Sequence, residues 1–390
     1  MAFADRPLAY CGNVHPAESL AGLQTQLERH AMPVAQITGR PIAVGLWLPR
    51  SALEGIDAEQ VEAFRHWFES NGLSTSTLNA FPFGDFHAKK VKDRVYQPDW
   101  TDPRRTEYTG KAADFLAALL PEGGEGSLST MPCAYKRLSP YAVAADFFPQ
   151  LIEAAKHLGK IREQTGRIIR LAIEPEPGCF LGCTSDAIRF LSELRSFAET
   201  GGGDVGRIVN EHLGLCFDVC HSAVMFENPA ESLRAAAAAN VRVVKVQISS
   251  ALELRDPKSR AARKFLSQFV EDRYLHQTTG FAEGRFLFAD DLTAPLALMP
   301  TEEWRSCAAW RVHFHVPIHR TEIGPLNTTT WAVEETLAAV VALPETPDLE
   351  VETYTWDVLP AISRTDAADM AHGLAAEMNH AQAILNRLRA

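Results

Sequence analysis

The 390-residue chain has no run of about five consecutive lysines or arginines, and its formal net charge is −11. Non-specific nucleic-acid binding needs a basic footprint, so nucleic acid is excluded as a partner and an anionic membrane surface is disfavoured with it. No apolar stretch reaches the length a transmembrane helix needs, so no membrane insertion is expected. The opening residues, MAFADRPLAYCGNVHP, carry no basic segment followed by an apolar run; no secretory signal is read there, and a cytoplasmic location is expected. Cysteine is sparse: seven residues, an odd number, scattered among strand-like segments as reduced thiols would be. Cys179/Cys183 and Cys216/Cys220 make two C-x3-C pairs, but they sit in apolar runs and read as core-filling thiols rather than as a zinc cluster. No G-x-G-x-x-G follows the first strand-like segment, which removes the main support for a dinucleotide-binding fold.

What the chain does contain is alternation. Eight apolar, β-branched runs recur: AYCGNV (9–14), IAVGLWL (42–48), STSTLNAF (74–81), GSLSTM (126–131), RIIRLAIEP (167–175), GLCFDV (214–219), VRVVKVQIS (241–249) and LEVETYTW (349–356). Helical patterns lie between them, several with clear punctuation. One starting at residue 57 stops at Asn71-Gly72, and another has a Ser139-Pro140 start and a Gly166 stop. A last, Ala-rich helix is expected from about Asp366. Strand–helix alternation repeated eight times predicts a parallel sheet closed into one (β/α)8 TIM barrel over residues 1–390. Residues 250–320 are too long for a βα loop and are expected to form an insertion, or lid, over the C-terminal mouth after the seventh strand.

Barrel chemistry is built from residues at the C-terminal ends of the strands. The fifth run ends in Glu174 and Glu176, the sixth in Asp218 and His221, the seventh in Lys245 and Gln247, and the eighth in Glu350 and Glu352. A single carboxylate at a strand end is ordinarily a helix cap or an ion-pair member. Glu174, Asp218, Gln247 and Glu352 at equivalent heights are harder to explain that way, because three carboxylates in one mouth repel unless a cation neutralises them. A divalent metal is therefore expected, and the donors suit Mn, Zn, Co or Mg without choosing among them. WRVHFHVPIHR adds His313, His315 and His319 near the mouth; His315 joins Glu174 and Glu352 as a candidate acid or base. His15, His87, His313 and His319 are candidate substrate-binding residues. Lys245 is either a substrate-orienting cation or, preferably, the charge partner of Glu174.

The series E-P-E-P, C-F-D-x-C-H, K-V-Q-I-S-S and V-E-T resembles the xylose-isomerase-like TIM barrel superfamily, whose members include sugar isomerases and epimerases and the type IV apurinic endonucleases. The resemblance implies metal roles for Glu174, Asp218, His221 and Glu352, and places Gln247 where that superfamily usually has histidine. More narrowly, YCGNVHPAES, FPFGDFHAKKVKDRVYQPDW, CFDVCHSAVMFE and HFHVPIHR are similar to the metabolite traffic proteins (EboE) of ebo-type operons. The expected function is an isomerase or epimerase acting on a small polar, sugar-like metabolite in secondary-metabolite processing or traffic. A non-catalytic metabolite-binding barrel and a phosphoester hydrolase are the alternatives. Oligomeric state is not readable from the sequence.

Overall fold

The computed structural model describes residues 7–282, 284–360 and 370–389. Eight parallel strands form a nearly closed barrel: β1 (Ala9–Cys11), β2 (Ala43–Gly45), β3 (Thr77–Asn79), β4 (Glu125–Thr130), β5 (Ile168–Ile173), β6 (Leu213–Asp218), β7 (Val243–Ile248) and, after a long excursion, β14 (Asp348–Val351). β14 pairs with both β7 and β1. The ring is brought together between β2 and β3 by two parallel bridges, Ala43–Ser74 and Leu46–Leu78. The expected (β/α)8 architecture is thus the observed one. Strands such as IIRLAI and VVKVQI are buried along nearly their whole length, which is why they read as continuous apolar runs rather than alternating ones.

Several strands are shorter than their apolar runs. β1 gives way at Gly12 to a 3-10 turn, Gly12–Val14, and β14 is soon followed by another, Tyr354–Asp357. Beyond the last paired residue the backbone has no ladder partner and satisfies itself in local turns. Helix punctuation was more legible. The helix Ala58–Ser70 starts on a capping box between Asp57 and Gln60, and Gly72 after it takes the left-handed φ of 67°. The last helix is Met370–Arg389; the expected start near Asp366 lies outside the described residues.

The segment between β7 and β14 forms a second sheet of six antiparallel strands, in the order β10-β9-β11-β8-β13-β12. These are β8 (Leu252–Leu254), β9 (Thr278–Ala282), β10 (Arg285–Ala289), β11 (Ala309–Val312), β12 (Glu322–Ile323) and β13 (Leu326–Thr328), so the excursion runs past residue 320. The helix read over its charged part is confined to Arg260–Leu266 and a following 3-10 turn. The sheet has an apolar core of its own around Leu266, Phe269, Trp310 and Phe314. It is stitched to loops of the barrel: Lys92 Nζ lies 2.6 Å from Asp291 and donates to the carbonyls of Glu271 and Tyr274, and the Tyr135 hydroxyl donates to Asp290 at 2.6 Å. Among the described residues no helix is long and apolar enough to cross a membrane.

Glu377 joins three parts of this assembly from the last helix. Its fully buried carboxylate accepts from the Ile318 amide (3.1 Å), the Thr353 hydroxyl (2.6 Å) and the Trp356 indole (3.0 Å). Burial pushes its pKa up to about 7, and the three donors oppose that rise without cancelling it. The folded protein therefore holds this proton to about pH 7, whereas an unfolded chain releases it near 4.5. The associated stability is present below the lower value and is lost as pH rises through the higher one. At about 1.4 kcal/mol per pKa unit, wild-type stability should lose about 3 kcal/mol more than Glu377→Gln between about pH 4.5 and pH 8. Urea denaturation of both proteins across that range checks this; parallel pH profiles would refute it.

Candidate metal centre

Three carboxylates converge where β5, β6 and β14 end. Glu174, Asp218 and Glu352 each bring one oxygen within 4.8 Å of the other two, and all three are buried. Asp218 does two things at once. Its Oδ1 caps the short helix Val219–Val224, accepting from the His221 amide at 2.9 Å and from the Ser249 hydroxyl at 2.8 Å. Its Oδ2 has no hydrogen-bond partner, and neither has Glu174 Oε2. Glu352 Oε1 accepts from Asn13 Nδ2 at 2.8 Å. An unpartnered buried carboxylate oxygen is costly, and two carboxylates of one cluster that each carry such an oxygen fit a bound cation.

The electrostatics agree. Burial first, then the neighbouring carboxylates, push Glu174 and Glu352 well above the ordinary carboxylate range. Burial also opposes the Asp218 charge, but the imidazoles of His221 and His315 and the two hydrogen bonds to Oδ1 bring it below its usual value. A metal binding here displaces protons held by Glu174 and Glu352, so affinity rises with pH.

Imidazoles reach the same space from two directions. His221 lies on the helix after β6, while His313 and His315 follow β11 of the second sheet. His315 Nδ1 bonds the Glu352 carbonyl at 2.9 Å; its Nε2 has no hydrogen-bond partner and lies 3.9 Å from Asp218 Oδ2. Burial holds the His315 pKa down at about 4, so the ring is neutral and available as a ligand at neutral pH. Glu174, Asp218, Glu352 and His315 therefore fit a divalent metal.

Beneath them sits a separate ion pair. Lys245 Nζ and Glu350 Oε2 are 2.5 Å apart, and both side chains are fully buried. Burial works against the ammonium, and Glu350 outweighs it and holds the charge above the ordinary lysine range. Gly45 makes room for the pair: a Cβ there would fall 1.3 Å from Glu350 Oε1. Lys245 is thus the partner of Glu350, not of Glu174, and it does not line the opening.

A cleft of about 520 Å³ opens over the cluster, lined by Glu174, Glu176, Glu352, His221, His313 and His315 and walled by Phe81, Phe86, Tyr96, Tyr274 and Tyr354. Of the five residues read as substrate-binding, only His313 is among its lining residues. His15 is carried away by the turn after β1 and stacks on His30, with centroids 4.2 Å apart. His87 Nε2 lies 2.8 Å from the Asn13 carbonyl and so supports the loop that holds Asn13. His319 is half-buried beside Arg320 and His380. Gln247 is fully buried and outside the cleft lining; its Oε1 accepts from the Cys216 thiol at 3.4 Å. The imidazole beside Asp218 is supplied by His315.

Four residues missing from the sequence reading belong here. The Tyr96 hydroxyl donates to Glu176 Oε1 at 2.6 Å, and Gln277 Nε2 donates to the same oxygen at 3.2 Å. Asn13 holds Glu352, and Tyr354 packs on the His315 ring at 4.6 Å between centroids. Asn13 had a signal, being polar directly after the first strand. Tyr96 ends a short 3-10 turn, Lys92–Tyr96, and Gln277 lies just before β9, neither with a periodicity to mark it.

No protein-family model matches the chain, and no curated protein matches it. Solved structures share its fold. A xylose isomerase-like TIM barrel protein from Mycobacterium smegmatis in complex with magnesium is 11% identical over 100% of both chains, with a TM-score of 0.55. A xylose isomerase domain protein from Planctomyces limnophilus is 12% identical over 98% of each, with a TM-score of 0.52. An L-ribulose 3-epimerase is 13% identical over 98% of this chain and 96% of its own, also with a TM-score of 0.52. At these identities the likeness shows the xylose isomerase-like barrel fold alone.

The buried ion pair generates a test. Lys245→Met strands the Glu350 charge and should cost about 3–5 kcal/mol, while Lys245→Met with Glu350→Gln should recover most of that loss. Chemical denaturation of both variants checks it, and a single variant as stable as the wild type would contradict the pairing.

Proposed function

We propose that this protein is a metal-dependent isomerase or epimerase of a small, sugar-like metabolite, with the metal held by Glu174, Asp218, Glu352 and His315. The observation that carries this is the cluster of buried carboxylates Glu174, Asp218 and Glu352, in which Glu174 Oε2 and Asp218 Oδ2 have no hydrogen-bond partner, with the unpartnered His315 Nε2 3.9 Å from Asp218 Oδ2. A divalent ion bound there supplies Lewis acidity toward a carbonyl or hydroxyl oxygen. Glu174 and Glu352 reach the cluster from two strands that are not neighbours, directly after β5 and directly after β14. One takes a proton from the carbon next to the carbonyl and the other returns one, which inverts that centre or shifts the carbonyl. Asn13 keeps Glu352 Oε1 oriented for that transfer. Lys92, the one lysine or arginine among the cleft's lining residues, is committed to Asp291 and two carbonyls. The cleft therefore suits an uncharged polyol with an apolar face against its aromatic walls.

The second sheet acts as a lid in this reading, excluding water from the mouth while contributing His315. The magnesium complex and the L-ribulose 3-epimerase among the structural neighbours support the metal and the reaction class. The similarity to ebo-type metabolite traffic proteins supports a precursor of a secondary metabolite as substrate. A non-catalytic metabolite binder is the second reading, since a cleft with aromatic walls can hold a metabolite without moving a proton.

Asp218→Asn should lower divalent-metal affinity at least about tenfold, equivalent to roughly 1.4 kcal/mol, with the metal-free barrel still folded. Calorimetric titration and thermal melts with and without metal decide this; a destabilised variant with wild-type metal affinity would show that Asp218 is only a structural cap. Metal-loaded protein incubated with free ketoses and aldoses in D2O should place deuterium on a carbon next to the carbonyl, and Glu174→Gln should stop it. Bound metal with no exchange for any sugar would favour the binder.

A further inference from the structure

We infer that the open edge of β10 pairs with β10 of a second copy of this chain, antiparallel and about a two-fold axis at Leu287. The inference does not depend on what the mouth binds. β10 (Arg285–Ala289) is an outer strand of the second sheet, with β9 on one side. Which of its groups are left open follows from the ladder behind it. The carbonyls of Gln277 and Phe281 accept from the amides of His313 and Ala308, so these alternate residues bond toward β11. Thr278, Gly280 and Ala282 therefore bond toward β10, through Ala289, Leu287 and Arg285. The amides and carbonyls of Phe286 and Phe288 point the other way, and among the described residues none bonds them. The side chains of the same two residues share one face and are 53% and 43% exposed. Both rings are held from behind. Phe286 packs on Phe281 and Phe226, with centroids 5.1 and 6.0 Å apart, and Phe288 reaches over Gly178, where a Cβ would fall 2.8 Å from its Cζ. Sheet edges are ordinarily blunted by lysine, proline, a bulge or shortness. β12, at the other edge, has two residues; β10 has five and none of those devices.

The strand's own sequence says what covers it. From Arg285 it reads RFLFADD, basic at one end and acidic at the other. Among the described residues neither Arg285 nor Asp290 has a salt-bridge partner; Asp290 accepts only the Tyr135 hydroxyl. Parallel pairing of two copies would set like charges together, whereas antiparallel pairing brings Arg285 of each copy beside Asp290 of the other. With Leu287 on the axis, the outward groups of Phe286 meet those of Phe288 in the second copy. Each such pair exchanges two hydrogen bonds and opposes two aromatic rings. A register displaced by one residue sets outward groups against groups already bonded to β9, and one displaced by two sets a phenylalanine against Asp290 or Gly284. Five residues a side is a small contact, so the dimer is weak and depends on concentration. Because β10, β9 and β11 are successive neighbours and His313 and His315 follow β11, this pairing joins the lids of two barrels in one continuous sheet.

The test is the oligomeric state of the full-length protein. Sedimentation velocity from about 1 to 200 µM should show the wild type passing from monomer to dimer. Phe286→Lys should stay monomeric with unchanged circular dichroism. Arg285→Glu should weaken the dimer at least about fivefold at low salt, and most of that difference should vanish in about 1 M salt. Leu287→Cys should form an intermolecular disulfide under mild oxidation, because residues facing each other at such a position have Cα atoms about 4.5 Å apart; Arg285→Cys should not. If Phe286→Lys fails to fold, the charge variant and the cross-link decide. A wild type that is monomeric throughout overturns the inference and leaves the edge to a strand of an unlike protein. A dimer that Phe286→Lys leaves intact, or one cross-linked by Arg285→Cys and not by Leu287→Cys, overturns it as well.

Discussion

The constraint on which this structure turns is the burial of acidic groups at one end of a parallel barrel. Glu174, Glu176, Asp218, Glu350 and Glu352 are all at least nine-tenths shielded from solvent, where an uncompensated carboxylate is expensive. Each is answered differently. Glu350 has Lys245 and a pocket that only glycine at position 45 permits. Glu176 has a tyrosine hydroxyl and a glutamine amide. Asp218 has a helix amide and a serine hydroxyl on one oxygen and nothing on the other. Glu174, Glu176 and Glu352 line the opening, and Asp218 belongs to one cluster with Glu174 and Glu352.

The second sheet exists in relation to that opening. Its strands end where His313 and His315 begin, and the rings are anchored from several directions: the Glu352 carbonyl for His315, the Gln277 amide oxygen for His313, and the Thr355 hydroxyl on the His315 carbonyl. The sheet is in turn tied to the barrel through Lys92 and Tyr135. Glu377 closes the arrangement from the last helix, holding Ile318 at the end of the histidine segment and Thr353 directly after Glu352. Preorganisation of this kind keeps neutral imidazoles and carboxylates together at fixed distances, which a flexible loop would not do.

Much of the fold was legible because a parallel strand buried on both faces leaves an unbroken apolar run, and because helices announce their ends with caps and glycines. The strand-end carboxylates were legible for the same reason: Glu174, Asp218 and Glu352 interrupt or terminate such runs. Strand lengths were less so, since an apolar residue after Cys11 or Val351 looks the same in a turn as in a ladder. The histidines show the limit most clearly. His15 and His315 both lie near a strand end in sequence, yet one packs outward on His30 and the other faces Asp218. The direction of a ring after a turn is set by the turn, and no periodicity encodes it.

By itself the sequence determined the barrel, the acidic set at its mouth and the presence of a long excursion after the seventh strand, because each depends on local order along the chain: runs, periods and spacings. Tertiary structure alone decided which groups meet. Lys245 and Glu350 are adjacent because β7 and β14 pair in parallel across about a hundred intervening residues of chain. His315 stands beside Asp218 because an antiparallel sheet with its own core carries it there. Contacts of that kind are fixed by strand pairing and by the packing of one sheet on another. Those are relations between distant segments, and neither segment's own residues specify them.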